Sequence, residues 1–266
     1  YNILKANAGG LTMKDNRIKE MQEYILLHQS VSLKELCDTF NVSMNTVRRY
    51  INEITADSAI KKVYGGVKVQ SPVSSLPTFT ERNQTQSRAK QLICKKAAEY
   101  IKENDIIYID SGTTTMYILD YVPSSMHVTV ITNSYHIIHS AVDRPEITLI
   151  NLPGILDRRT LSFNGENFKY LESLNIHKAF MACTGLSIND GATNSFSAEF
   201  TNKKIAVRKA DQIFLMADCS KFGVSTLMTY CPLSDIDYII TDRNPAPEFR
   251  QIIEENGHHI VLCDSE

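Results

Sequence analysis

Residues 32–54 read Ser32-Leu33-Lys34-Glu35-Leu36-Cys37-Asp38-Thr39-Phe40-Asn41-Val42-Ser43-Met44-Asn45-Thr46-Val47-Arg48-Arg49-Tyr50-Ile51-Asn52-Glu53-Ile54. Ser32 to Glu35 has the form of a capping box, and Leu33, Leu36, Cys37 and Phe40 make one apolar face behind it. Asn41-Val42-Ser43 breaks that helix and makes a turn of about three residues. Ser43 is a good N-cap for a second one running to about Thr55. On this helix Val47, Ile51 and Ile54 fall at i, i+4 and i+7 and predict a buried face. Asn45, Thr46, Arg48, Arg49 and Asn52 are left on the outer faces.

Working outward, Ile18, Met21, Tyr24, Ile25 and Leu27 have helical spacing and predict a preceding helix from Asp15 to about His28. Ile60–Val63, Tyr64-Gly65-Gly66 and Val67–Val69 read as a small β-hairpin. Helix, tight turn, helix and Gly-rich hairpin is the order of a winged helix-turn-helix over residues 13–70. Its outer side chains suit a major groove, since Arg pairs with guanine or phosphate, Asn with adenine, and Thr with phosphate or a thymine methyl. Lys61, Lys62 and Lys68 on the hairpin are placed for the flanking phosphates, and Ser32 and Ser43 join the DNA-binding set at the helix starts. The competing reading is a solvated three-helix unit that binds protein. Arg48 has the further alternative of an ion pair with Glu53 or Asp57. Charge favours DNA weakly: residues 1–70 hold ten Lys and Arg against seven Asp and Glu, in a chain of net charge −2.

Ser71-Pro72-Val73-Ser74-Ser75-Leu76-Pro77 carries two prolines and no periodicity, so 71–82 reads as a linker. A helix is expected from about Asn83 to Glu103. Beyond it, short apolar runs alternate with helical stretches: Ile106–Ile109, Val128–Ile131, Ile147–Ile150, Ala179–Ala182, Ile213–Met216, Tyr238–Ile240 and Ile260–Leu262. Runs of that kind predict strands covered on both faces, hence a mostly parallel α/β domain over 83–266.

The first strand leads into Asp110-Ser111-Gly112-Thr113-Thr114-Thr115 and an expected helix from Met116. A hydroxyl-rich loop at a helix N-terminus makes an anion site, although Asp110 or Thr113 as a plain N-cap explains it too. Parallel sheets bind ligands at the carboxyl ends of their strands. There stand Thr132-Asn133, Pro153-Gly154 with Arg159 beyond, Thr184-Gly185, and Asp218-Cys219-Ser220-Lys221. Arg159 and Lys221 are cations able to balance a phosphate or carboxylate, or simply surface charges. The patterns of a nucleotide P-loop and a dinucleotide fingerprint are absent, and no cofactor is expected. His136 and His139 are three apart without an adjacent third ligand, so no metal is expected either.

The remaining features are ordinary for a cytoplasmic globular protein. Of 266 residues 43% are apolar and 22% charged. No apolar run approaches the roughly 18–20 residues of a membrane span, and no membrane partner is expected. Residues 1–12 read as a tag remnant or frayed arm, with Met13 as a plausible native start. The six cysteines are scattered without a C-x-x-C pair and read as reduced thiols.

Two sets of motifs carry a family resemblance. Ser32 to Leu36, Phe40 to Ser43, Thr46-Val47-Arg48-Arg49 and Tyr64-Gly65-Gly66-Val67 resemble the N-terminal signature of DeoR-type bacterial repressors of sugar metabolism. Asp110-Ser111-Gly112-Thr113-Thr114, Thr132-Asn133, Gly185, Gly191, Glu199 and Asp218-Cys219-Ser220-Lys221-Phe222-Gly223 are similar to the effector domain of the same family. The resemblance spans residues 13–263. It implies a sensor domain with a sugar-phosphate-isomerase-like fold, whose phosphorylated sugar ligand releases the repressor from operator DNA. It adds Glu199 to the effector-binding set. Two positions depart: Tyr50 stands where the family has Asp, and Pro153-Gly154 where it has Gly-Gly. The helix-turn-helix wording is nearest to repressors of inositol catabolism, which implies a phosphorylated keto acid as inducer. A homodimer or homotetramer is expected, because helix-turn-helix proteins read paired half-sites. The alternatives are a sugar-phosphate isomerase or deaminase, with Asp110, Glu199 and Lys221 as its polar groups, and a protein-interaction adaptor.

Overall fold

The computed structural model describes residues 13–28, 30–55, 60–63, 65–69, 77–165, 168–255 and 257–263. Residues 1–12, read above as tag or arm, lie outside this set, as does Asp57. The chain divides between Ser75 and Leu76 into two compact units.

In the first unit α1 (Met13–His28) precedes a short strand β1 (Ser30–Ser32), then α2 (Leu33–Phe40) and α3 (Met44–Ile54). The hairpin is β2 (Ile60–Val63) and β3 (Gly66–Val69), and β1 adds to it antiparallel, giving the order β1-β3-β2. Gly66 is required by that third strand: a Cβ there would lie 2.4 Å from the Val31 carbonyl. Ser32 Oγ accepts from the Glu35 N–H at 3.1 Å, and Ser43 Oγ from the Thr46 N–H at 3.2 Å. Each cap contributes on the order of 1 kcal/mol to its helix. Glu35 receives the Tyr24 hydroxyl at 3.3 Å. Met21, Ile25, Val31, Leu36, Val47, Ile51, Ile54, Ile60 and Val67 form the core, and Tyr50 is buried among them.

The second unit begins earlier than the sequence suggested. Of the expected linker 71–82, residues 71–76 lie outside the described set. Thr78 then caps α4 (Phe79–Gln84) through a capping box with Glu81, and Phe79 is buried. The helix expected from Asn83 is broken at Gln86, which adopts φ +56°, and α5 starts afresh at Ser87 and ends at Ala98.

Seven strands then form one parallel sheet: β4 (Ile106–Ile109), β5 (Val128–Thr132), β6 (Ile147–Asn151), β9 (Ile176–Ala182), β12 (Ala210–Met216), β14 (Tyr238–Thr241) and β15 (His259–Leu262). Their order is β15-β14-β12-β9-β4-β5-β6. All seven apolar runs are strands of this sheet. Side-chain alternation serves two cores. Ile107, Ile109, Phe180 and Phe214 pack with Ile93, Cys94 and Ala97 of α5 and with Ile137 of α6 (Tyr135–Val142). Tyr108, Ala179, Met181 and Leu215 face the other way, against α7 (Phe168–Glu172), α8 (Ser197–Lys209) and α9 (Pro247–Glu255). Two small antiparallel additions flank the sheet: β7 (Ile155–Asp157) with β8 (Ser162–Asn164), and β10 (Gly185–Ser187), β11 (Gly191–Asn194) and β13 (Met228–Cys231). Among the described residues no helix is long and apolar enough to cross a membrane.

Candidate functional site

The first unit presents α3. Asn45, Arg48, Arg49 and Asn52 are exposed on it, while Val47, Tyr50, Ile51 and Ile54 are buried beneath. Arg49 lies over the Tyr50 ring, 5.4 Å from its centre. Tyr50 therefore anchors the helix, where a carboxylate would have to be buried. Thr46 is half-buried, its hydroxyl 2.9 Å from Ser43 Oγ. Ser32, Ser43 and Thr46 thus set helix starts first of all. On the wing Lys61 and Lys62 are exposed, and Lys62 donates to the Asn52 side-chain carbonyl. The Lys68 side chain lies outside the described set.

In the second unit the polar groups gather where the strands end, as a parallel sheet dictates. A cavity of about 40 Å³ is lined by Arg82, Gly112, Thr113, Thr114, Ala182, Cys183, Thr184, Asn194, Glu199, Lys203 and Lys221. A second, of about 180 Å³, shares Arg82 and Lys221 with the first and adds Lys90, Asp218 and Ser220. The turn after β4 fits closely because a Cβ on Gly112 would lie 2.2 Å from that of Ala182.

Charge is organised in pairs at the back and left open in front. Asp110, 1% exposed, accepts from Lys203 and from the Ala182 N–H at 3.0 Å. Lys203 also donates to the Ala182 carbonyl at 2.9 Å, which Tyr230 reaches too. Glu199 is buried and accepts from Ser111 at 2.9 Å, Ser162 at 3.2 Å and Asn194 at 3.4 Å. Burial raises its pKa, and the nearby Lys203 and Arg82 charges oppose that rise. In front, Nε and one terminal nitrogen of Arg82 are buried without a hydrogen-bond partner among the described residues, as are Asp110 Oδ1 and Asp218 Oδ2. Lys90 is 2% exposed and donates to the Arg82 carbonyl. Burial and the Lys221 and Arg82 charges hold its pKa down to about 8 against the pull of Asp218. The surroundings are thus cationic and partly unsatisfied, which suits a small anion with hydroxyl groups.

The expected α-helix after Thr115 does not form. Residues 113–117 are turns, followed by one 3₁₀ turn at Ile118–Tyr121, so no helix dipole points at the loop. Gly112, Thr113 and Thr114 line the cavity even so. Ser111 faces Glu199, and Thr115 donates within its own turn to the Asp110 carbonyl at 2.6 Å. Thr132 donates to the Ile109 carbonyl at 2.6 Å, and Asn133 holds Phe163 and Asn164 of β8. Gly154 abuts the Asn164 backbone and Gly185 the Val224 carbonyl. Arg159 is exposed and pairs with Asp157 at 3.3 Å. These five support the walls and do not line either cavity. Arg82, Lys90, Asn194 and Lys203 were not foreseen.

Asp110 is bound in an ion pair through one carboxylate oxygen and Glu199 is held by three donors. Comparison with known proteins identifies regulators. Residues 17–73 match the DeoR-like helix-turn-helix domain and residues 85–243 the DeoR C-terminal sensor domain. The chain is 44% identical to the HTH-type transcriptional regulator IolR of Bacillus subtilis (strain 168), over 94% of its own length and 100% of that protein's. It is 31% identical to YulB of the same organism, an uncharacterized HTH-type transcriptional regulator, over 90% and 93%. Among solved structures, ribose 5-phosphate isomerase A from Methanocaldococcus jannaschii is similar with a TM-score of 0.40 and 17% identity, over 52% of this chain and 55% of that one. The chain belongs to the DeoR family of HTH-type transcriptional regulators.

Proposed function

We propose that this regulator represses a carbohydrate catabolic operon and is released from its operator by a phosphorylated sugar or sugar acid held in the sensor cavities. The observation that carries the reading is the pair of buried Arg82 nitrogens without a hydrogen-bond partner among the described residues, set beside Lys90, Lys203 and Lys221 at the strand ends. A phosphate dianion offers acceptors to Arg82 and Lys221, and sugar hydroxyls offer a donor to Asp218 Oδ2. Gly112, Thr113 and Thr114 supply the polar wall. Glu199, Ser111, Thr115, Thr132, Asn133, Gly154, Gly185 and Arg159 act behind or around the ligand.

Residues 13–70 form the DNA-binding domain in this scheme. Asn45, Arg48, Arg49 and Asn52 enter the major groove, and Lys61, Lys62 and Lys68 reach flanking phosphates. The protein works in the cytoplasm as a dimer or tetramer that pairs two such units on one operator. The helix-turn-helix wording and the likeness to IolR favour an inositol-pathway operon.

The test is gel retardation of the protein's own promoter region with a panel of sugar phosphates that includes inositol-pathway intermediates. Retardation relieved by one compound supports the scheme and names the inducer. Retardation that no compound relieves removes the effector half of it, and no retardation removes both.

A further inference from the structure

The helix α4 stands four residues beyond Ser75, where the sensor unit begins. It is therefore the first described helix of the sensor unit after the junction with the DNA-binding unit. Its start is anchored. The Phe79 ring stacks on His136 with centres 4.5 Å apart, and the Phe79 N–H donates to the Arg159 carbonyl at 2.8 Å. One turn on, the Arg82 guanidinium lies 5.7 Å from the Phe79 ring and 5.2 Å from the Phe196 ring. Arg159 covers Phe196 as well, at 5.8 Å. Two cations and two rings therefore join α4, the β7–β8 turn and the start of α8.

The cavity cations are not equivalent. Lys203 is committed to Asp110 and the Ala182 carbonyl, and Lys90 to the Arg82 carbonyl. Lys221 sits on the turn after β12. Arg82 combines unpartnered buried nitrogens with a place on the helix nearest the junction. Two buried guanidinium nitrogens without acceptors among the described residues are costly, and an anion that supplies acceptors relieves that cost only when α4 is seated. Such a differential is what lets a ligand shift a population.

We propose that Arg82 is the residue through which an anion in the sensor cavity acts on the DNA-binding unit: pairing with its two nitrogens that lack a partner among the described residues fixes α4, the first described helix of the sensor unit. The inference rests on the effector reading above. It makes Arg82 a coupling residue as well as a ligand contact, and assigns to Lys221 affinity without coupling.

The experiment uses the full chain with inorganic phosphate as probe, at ionic strength held constant with chloride. Calorimetry reports binding, amide hydrogen exchange reports α4, and retardation of the promoter fragment reports DNA affinity. With the wild type, phosphate is expected to bind, to slow exchange over 79–84 several-fold and to weaken retardation. Arg82→Gln is expected to bind phosphate about tenfold less tightly, the share of a charge-assisted hydrogen bond. At phosphate concentrations that restore occupancy it still shows neither slowing nor release. Lys221→Gln loses affinity but at equal occupancy keeps both effects. Arg82→Lys, which keeps the charge and loses the fork, serves if Arg82→Gln does not fold, and is expected to slow exchange only partly. Phosphate bound with α4 exchange or retardation unchanged in the wild type overturns the coupling while leaving the cavity. No binding to the wild type overturns the effector reading and this inference with it.

Discussion

Lys62 on the wing donates a hydrogen bond to the side-chain carbonyl of Asn52 on α3, so two residues that read from sequence as independent DNA contacts are joined. The link sets the angle of the wing against the helix. Both side chains are exposed, so Asn52→Ala should change stability by less than about 0.5 kcal/mol. It should weaken operator binding roughly fivefold through loss of wing position and a base contact, with an unchanged salt slope. Lys62→Ala should weaken binding and also reduce the salt slope by about one. Fluorescence anisotropy against salt concentration separates them. Equal slope changes in both variants would show that Asn52 acts through Lys62's phosphate contact alone.

Arg49→Ala should abolish operator retention while leaving anion affinity in the sensor unit as it was. Arg49 is exposed on α3 with its guanidinium over the outer side of the Tyr50 ring, so the substitution removes a groove contact without opening the core. Gel retardation and calorimetry on one preparation decide it. Loss of both activities would mean that the variant has disturbed more than the α3 surface.

Asp110 and Lys203 form a buried ion pair at the floor of the cavity, 1% and 3% exposed. Removing one partner strands the other charge, which typically costs about 3–5 kcal/mol. Lys203→Met should therefore lower the urea midpoint of the sensor unit markedly. Asp110→Asn combined with Lys203→Met should recover a good part of the loss, because no lone charge remains. A double variant as unstable as the sum of the singles would show that packing, rather than the charge, holds the site.

The strands and the recognition helix were legible because each is decided by local pattern. Ile107 and Phe214 lie in apolar runs covered on both faces, and Ser43 caps α3 where the spacing of Val47, Ile51 and Ile54 begins. Lys221 was legible because it follows a strand directly, whereas Arg82, Lys90 and Lys203 were hidden because they come from helices and reach the strand ends only in three dimensions. Lys90 precedes Ile93, Cys94 and Ala97 at i+3, i+4 and i+7, and all four are buried. A lysine on the apolar stripe of α5 was thus the available signal. Glu199 and Lys203 share a face of α8 at i, i+4 in the same way. Arg82 fell in a stretch read as linker from its prolines, although Thr78 and Glu81 carry a capping box. The break at Gln86 carries neither Gly nor Pro, so residue type alone did not mark it.

Lys90 gives the sensor a pH dependence whose sign is fixed by its environment. Burial and neighbouring cations hold its pKa at about 8, below the ordinary 10.5. In the free protein the amine is charged below that value and neutral above it. A phosphate ester, with a second pKa of about 6, is already a dianion by pH 7.5 and no longer titrates. An anion beside Lys90 favours the charged amine, so binding raises its pKa and takes up a proton. Affinity should be full below pH 8 and fall as pH rises through it. Lys90→Met should bind more weakly at pH 7.5 and show no such fall. The stability effect runs the other way along the pH axis. The folded pKa is the lower one, so stability should decline as pH falls from about 10.5 to about 8 and then level off. Calorimetric titration with a simple phosphate monoester, methyl phosphate, between pH 7.5 and pH 9.5 checks the first, and urea unfolding over the higher range checks the second. An affinity that stays flat through pH 8 in the wild type would place Lys90 outside the reach of the bound anion.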